Sequence, residues 1–213
     1  MAFSSRLQHC TPDGLASVYG LGQYRYDGVE ARGGDVVLDG GAASGDTALW
    51  FADQVGPDGR VLAFEFAPGN LRALRDNLAL NPRLAPRIEV REQALWDRGG
   101  ERLAFTDAGV VSAVGGGGGG EVATVAIDDL ALERLDVLKL DVEGAEPRVL
   151  AGATETLKRL RPALAIAAYH DPWHLLDLPA FVDGLGAGYR IYLGHAAPGE
   201  AETVLFGAPA SRS

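Results

Sequence analysis

Three carboxylates in this chain stand where a parallel sheet would bring them together. Asp39, Glu65 and Asp141 each lie within or directly after a short apolar run that is typical of a buried strand. Ligands of open α/β sheets bind at the carboxyl ends of the strands. The spacing therefore predicts that the three acids meet at one edge of a sheet and surround a common ligand.

Asp39 opens the most informative stretch, because a glycine-rich turn and a helix follow it. The turn is Gly40-Gly41-Ala42-Ala43-Ser44-Gly45, and apolar residues recur at helical spacing from 48 to 55. A strand, a glycine turn and a helix begin a nucleotide-binding α/β unit. Ala42 stands where the dinucleotide fingerprint has glycine, so that fingerprint is incomplete.

The charge of Asp39 favours one kind of nucleotide. A carboxylate here would repel a pyrophosphate and would attract a ligand that carries an ammonium and a sulfonium. S-adenosylmethionine (SAM) is such a ligand. The alternative is that Asp39 only caps the following helix.

Glu65 and the residues after the third strand complete the predicted nucleotide site. Glu65 lies 26 residues after Asp39, which is about one strand–helix–strand step. A carboxylate there can accept both hydroxyl hydrogens of a ribose, in NAD enzymes as well as in SAM enzymes. Gln93 and the backbone of Ala94 follow the strand 87–90, where we expect them to border the adenine ring.

Composition limits the function classes. The 213 residues suffice for one α/β domain with a full core. The net charge of −10 and the lack of a Lys/Arg cluster argue against nucleic acid as a partner. No signal peptide is evident, no apolar run reaches the length of a membrane helix, and Cys10 is the sole cysteine. We expect a cytoplasmic protein that acts on neither membranes nor nucleic acid.

From about residue 35 onward the chain resembles the FkbM-type SAM-dependent methyltransferases. The most specific segment is Leu138-Lys139-Leu140-Asp141-Val142-Glu143-Gly144-Ala145-Glu146. Phe66 is a departure, because the family usually has proline there. The other segments that carry the likeness are 37–42, 63–66, 168–170, 177–179, 189–195 and 202–206.

The resemblance implies a class I methyltransferase fold, a Rossmann-like three-layer α/β sandwich. Its seven-stranded sheet would be mostly parallel, with the last strand antiparallel, and helices would cover both faces. It also implies methyl transfer to a hydroxyl of a sugar or natural-product small molecule. The SAM-binding residues that we predict are Asp39, Gly40, Gly41, Ser44, Gly45, Glu65, Phe66, Gln93, Ala94 and Asp141.

The catalytic residues are predicted around the end of the fifth parallel strand. There His170 would lie beside Asp141, and an alcohol nucleophile benefits from a base or a metal that removes its proton. In one hypothesis His170 is the general base, with His195 as a second candidate. In another, Asp141, Glu143 and His170 hold a divalent cation such as Mg²⁺. In a third, His170 only forms hydrogen bonds in a strand-end turn.

The chain divides into three parts. Residues 1–34 form an N-terminal segment that either covers the substrate pocket or packs on the surface, 35–208 form the methyltransferase domain, and 209–213 form a tail. We expect a two-stranded excursion at 101–106 and 121–127. The glycine run Gly115–Gly120 between them is interpreted as a flexible loop.

Two other functions stay open. An NAD(P)-dependent Rossmann oxidoreductase would share Glu65 but not Asp39 or Ala42. A catalytically inactive SAM-binding module would need no catalytic residue, and the joint presence of Asp39, Glu65 and Asp141 argues against it. We expect surface positions for His9 and His174.

Overall fold

The computed structural model describes residues 6–106, 113–114, 118, 120–196 and 202–210. Among these, no helix combines the length and the apolar character needed to cross a bilayer. The strands are β1 (Val36–Gly40), β2 (Arg60–Phe64), β3 (Ile88–Arg91), β4 (Ala94–Leu95), β5 (Arg102–Phe105), β6 (Gly120–Val125), β7 (Val137–Leu140), β8 (Ala163–Ala167), β9 (Tyr189–His195) and β10 (Thr203–Pro209). The helices are α1 (Pro12–Leu15), α2 (Asp46–Val55), α3 (Pro68–Ala79), α4 (Glu146–Ala151), α5 (Thr154–Leu160) and α6 (His174–Gly184), with a π-helical segment at Ala16–Leu21.

Seven strands form the main sheet in the order β3-β2-β1-β7-β8-β10-β9. In this sheet the pairs β3–β2, β2–β1, β1–β7 and β7–β8 are parallel, whereas β10 runs antiparallel to both β8 and β9. The predicted class I architecture, with its antiparallel last strand, is confirmed.

A three-stranded sheet, in the order β4-β6-β5, lies beside the main one. Its β5 and β6 pair in antiparallel fashion, which confirms the predicted excursion. The short β4, which pairs in parallel with β6, was not predicted. Of the run Gly115–Gly120, only Gly118 and Gly120 fall within the described residues, so the flexible-loop interpretation lies mostly outside them.

The central strands are apolar on both faces because helices cover both faces of the sheet. Successive side chains of β1 point to opposite sides: Val37 packs with Phe51 of α2 in one core, and Leu38 packs with Leu150 of α4 in the other. This arrangement leaves the carboxyl ends of the strands, and not their faces, available to a ligand.

The N-terminal segment is fastened to helix α3. The backbone N–H of Arg6 donates to Asn81 Oδ1 (2.7 Å), and the Asn81 amide donates back to the Arg6 carbonyl (2.6 Å). The N–H of Gln8 donates to Asn77 Oδ1 (2.8 Å). Farther along, the Tyr19 hydroxyl donates to the backbone carbonyl of Asp46 (2.9 Å) at the start of α2. These bonds tie the segment first to the end of α3 and then to the start of α2.

Candidate active site

A cavity of about 520 Å³ opens at the carboxyl ends of the parallel strands, a size typical of small-molecule sites. The N-terminal segment forms one of its walls, through residues that include Thr11, Gln23 and Tyr24. The predicted site residues that line it are Gly41, Ser44, Glu65, Phe66, Gln93, Asp141, Glu143 and His170.

The glycine turn packs directly against the end of β7. Gly41 adopts a positive φ of 76°, and a Cβ atom added to it would lie 1.9 Å from the carbonyl oxygen of Asp141. A side chain is therefore excluded both by conformation and by space. Gly45, also at positive φ (82°), precedes α2. These two glycines let the turn pack closely against β7 and α3.

Asp39 does not reach the cavity surface, where the sequence analysis placed it. Its side chain is fully buried: Oδ1 lies 3.0 Å from Lys139 Nζ, and Oδ2 accepts a hydrogen bond from the Thr47 hydroxyl (2.7 Å). The Lys139 ammonium also donates to the carbonyls of Gly41 (2.7 Å) and Gly40 (3.2 Å). Asp39 therefore acts on the glycine turn through Lys139.

Lys139 stays charged in this buried position. Burial alone would lower the pKa of its ammonium, but the nearby charges of Asp39 and Asp141 outweigh burial and raise that pKa. The ammonium donates to two backbone carbonyls and forms an ion pair with the Asp39 carboxylate. Lys139, the single charged residue of β7, thus links this strand to the glycine turn.

The Glu65 carboxylate is buried and held in one orientation. Its Oε1 accepts the backbone N–H groups of Phe66 and Ala67, both at 2.7 Å, and its Oε2 accepts the Asn70 amide at 3.2 Å. Burial raises its pKa, although these hydrogen bonds oppose the shift. Gln93 lines the same cavity, whereas Ala94 is buried in β4 and is absent from the lining.

His170 sits among three carboxylates at the other end of the cavity. Its Nδ1 lies 2.9 Å from Glu146 Oε1, and its Nε2 lies 3.4 Å from Asp141 Oδ1 and 3.5 Å from Glu143 Oε2. Burial opposes protonation, but contact with Glu146 and the charges of the other two acids outweigh it and raise the His170 pKa. Burial raises the pKa of Glu143 to about 7.

The Asp141 carboxylate accepts hydrogen bonds from two tyrosine hydroxyls. The Tyr24 hydroxyl donates to Oδ2 (2.7 Å), and the Tyr169 hydroxyl donates to Oδ1 (3.0 Å). Tyr169 belongs to the segment 168–170 that the sequence analysis singled out, but Tyr24 had no signal, since it lies 117 residues from its partner. The wall that closes over Asp141 comes from the N-terminal segment.

The geometry changes the candidate metal ligands. Ligand atoms of Asp141, Glu146 and His170 all lie within 4.8 Å of one another, and Glu143 is not part of that group. The set predicted from sequence was Asp141, Glu143 and His170. Glu146 could not be chosen from spacing, because only the turn before α4 brings its carboxylate back toward the strand end.

The other histidines are arranged differently from expectation. His195, the second candidate base, is exposed near the end of β9, where its Nδ1 lies 2.9 Å from the Thr203 hydroxyl, and it is absent from the cavity lining. His174 is buried, contrary to the expected surface position, and its Nδ1 lies 3.6 Å from Glu146 Oε2. His9 is exposed, as expected, and lines the cavity from the N-terminal segment.

Comparison with protein families identifies one domain. The model of the FkbM methyltransferase domain matches residues 39–191, which is most of the chain. No curated protein matches.

Solved structures share the fold. The FkbM methyltransferase of Methylobacillus flagellatus KT is 25% identical, with a TM-score of 0.70; the match covers 86% of this chain and 46% of that one. The chain thus spans about half the length of that relative. Two more distant structures have the same architecture. Aeropyrum pernix fibrillarin with natively bound SAM is 17% identical, with a TM-score of 0.56, and the match covers 91% of this chain and 73% of that one. A SAM-dependent O-methyltransferase from Thermotoga maritima is 16% identical, with a TM-score of 0.56, and the match covers 98% of this chain and 69% of that one.

Proposed function

This chain belongs to the FkbM methyltransferase family, and from that premise we propose that it transfers a methyl group from SAM to a hydroxyl of a sugar or natural-product small molecule. The observation that carries the proposal is the convergence of Glu65, the glycine turn and His170 on one cavity. The single cysteine supports a cytoplasmic location, which is part of the proposal.

The residues present fit SAM. Glu65 offers an oriented carboxylate for a ribose diol, and Gly41 of the glycine turn lines the same cavity. The cavity is also acidic, which suits a ligand with an ammonium and a sulfonium and disfavours a phosphate chain. Among the described residues that line it, Lys139 is the one lysine or arginine, and six are acids: Asp13, Asp46, Glu65, Asp141, Glu143 and Glu202.

Bound SAM supplies an electrophilic methyl carbon, so the protein must place an acceptor hydroxyl in line with it and assist the loss of the hydroxyl proton. His170 lines the cavity, and its Nε2, on the side of Asp141, is the group that we propose as the general base. The charges of Asp141 and Glu143 would stabilise the imidazolium that forms when His170 accepts the proton. The N-terminal wall, with Tyr24, would cover the acceptor and exclude water.

A divalent cation is the second candidate for this step, since Asp141, Glu146 and His170 offer oxygen and nitrogen ligands at close range. It would lower the pKa of an acceptor hydroxyl that binds to it. Loss of methyl transfer on treatment with EDTA, with recovery on addition of Mg²⁺ or Mn²⁺, would identify the metal route. Full activity in EDTA would identify the base route.

The cofactor is tested by calorimetric titration with S-adenosylhomocysteine (SAH). We expect micromolar binding by the wild type and its loss in Glu65→Ala, while an exposed matched variant, Glu155→Ala, should bind normally. Binding of NADH instead of SAH would favour the oxidoreductase.

The acceptor is tested by incubating the protein with isotope-labelled SAM and a panel of sugars and natural-product alcohols. We expect His170→Ala to keep its SAH affinity and to lose methyl transfer. Unchanged transfer by His170→Ala would rule out both the base and the metal roles. SAM binding without transfer to any acceptor would favour an inactive binding module.

A further inference from the structure

Glu146 is a fully buried carboxylate that does not line the cavity. It is the first residue of α4, and its Oε1 accepts the backbone N–H of Val142, four residues earlier (2.9 Å). Burying a carboxylate is costly unless polar partners compensate for the lost water. The side chains at its two oxygens are histidines: His170 at Oε1 and His174 at Oε2.

The two ring nitrogens of His170 face different surroundings. Nδ1 is buried and lies 2.9 Å from Glu146, which does not line the cavity, while Nε2 lies 3.4 Å from Asp141 and 3.5 Å from Glu143, which both line it. Both oxygens of Asp141 already accept tyrosine hydroxyls. Of the three carboxylates around the ring, Glu146 comes nearest to a nitrogen of His170, and it does so at Nδ1.

A neutral imidazole carries its proton on one nitrogen and a lone pair on the other, and the partner of one nitrogen decides the state of the other. We infer that Glu146 is a positioning residue that holds the proton of His170 on Nδ1 and so leaves the Nε2 lone pair directed into the cavity. This inference rests on the proposed function, because it concerns the base of that reaction. It adds to that function the group that sets the orientation and the tautomer of the base.

His174 lies on the other side of the Glu146 carboxylate from His170. Its ring is buried near the start of α6, with Nδ1 3.6 Å from Glu146 Oε2, but it has no part in the cavity lining. Glu146 is thus enclosed by two imidazoles, of which one can reach a substrate. The buried ring of His174 therefore lies next to the same carboxylate that approaches His170.

A purely structural role for Glu146 makes a different prediction. If Glu146 served only to accept the backbone N–H of Val142, its replacement by glutamine should leave the His170 tautomer unchanged, because the amide oxygen can still accept that N–H. Glu146→Gln removes the charge and keeps the size and one acceptor oxygen, so the turn should survive while the attraction for Nδ1–H is weakened. The matched control is Glu155→Gln, an exposed residue of α5 that pairs with Lys158.

The test is nitrogen NMR of the imidazole rings in ¹⁵N-labelled, SAH-bound protein, at a pH where all four histidines are neutral. Spectra of His9→Gln, His174→Asn and His195→Gln variants assign the signals. In the wild type and in Glu155→Gln we expect the His170 proton on Nδ1. In Glu146→Gln we expect a smaller fraction of Nδ1–H and the appearance of Nε2–H, with unchanged SAH affinity.

The outcomes separate this inference from the proposed function. If the wild type does not bind SAH in calorimetry, the proposed function fails, whatever the tautomer. If SAH binds and His170 carries its proton on Nε2, the inference is overturned, and the wild-type spectrum decides this even if Glu146→Gln does not fold.

Discussion

Replacement of Lys139 by methionine tests the buried pair beneath the glycine turn. The two charged side chains are 1% and 0% exposed, and the ammonium also holds the carbonyls of Gly40 and Gly41. Methionine fills similar volume but supplies neither charge nor donors. Asp39 would then be a buried carboxylate whose remaining described donor is the Thr47 hydroxyl.

Removal of one partner of a buried ion pair typically lowers the free energy of unfolding by about 3–5 kcal/mol. For a domain of this size each kcal/mol shifts the unfolding midpoint by about 2–4 °C, so a loss of about 4 kcal/mol corresponds to roughly 8–16 °C. The double variant Asp39→Asn/Lys139→Met removes both charges. We expect it to recover a large part of the loss, because the unpaired charge is gone.

The assay is urea unfolding followed by circular dichroism, with SAH titration of each folded variant. We expect Lys139→Met to be destabilised and the double variant to be more stable than the single one but still weak in SAH binding, since the turn has lost its donors. Lys158→Met, which breaks an exposed pair, should change stability by less than about 1 kcal/mol. If the effects of Asp39→Asn and Lys139→Met simply add, the proposed coupling of the pair is refuted.

Two further predictions concern the turn and the candidate base. Gly41→Ala should abolish SAH binding in calorimetry, because its Cβ would lie 1.9 Å from the Asp141 carbonyl at a φ of 76°; wild-type affinity would contradict the described turn. The pKa of His170 is raised in the folded state, so its protonation stabilises the fold fully below about pH 6.5, and that contribution is lost as the pH rises through the raised value. Methyl transfer should rise over the same window, because Nε2 must be unprotonated to act as a base. Unfolding midpoints of wild type and His170→Asn, with single-turnover rates from pH 6 to 9, check both trends, and a flat rate profile would contradict them. The charged groups that face the ring and set this shift are Glu146, Asp141 and Glu143.

Much of the architecture could be predicted from local sequence. The apolar runs predicted β1, β2 and β7 because a parallel strand covered on both faces needs apolar side chains at successive positions. The acid at or just after each run and the glycine turn indicated which edge of the sheet would form the site. β4 escaped prediction, since two residues are too few to show a pattern.

The chain by itself determined the strands, the glycine turn and the acidic edge, because these depend on residue type and on short periodic spacing. Only the tertiary structure decided which polar groups meet. It buried Asp39 under Lys139, brought Tyr24 across 117 residues to Asp141, and enclosed Glu146 between two histidines. Periodicity reports which side of an element is buried, but a partner from another element depends on how the layers pack, and that is not encoded in local spacing.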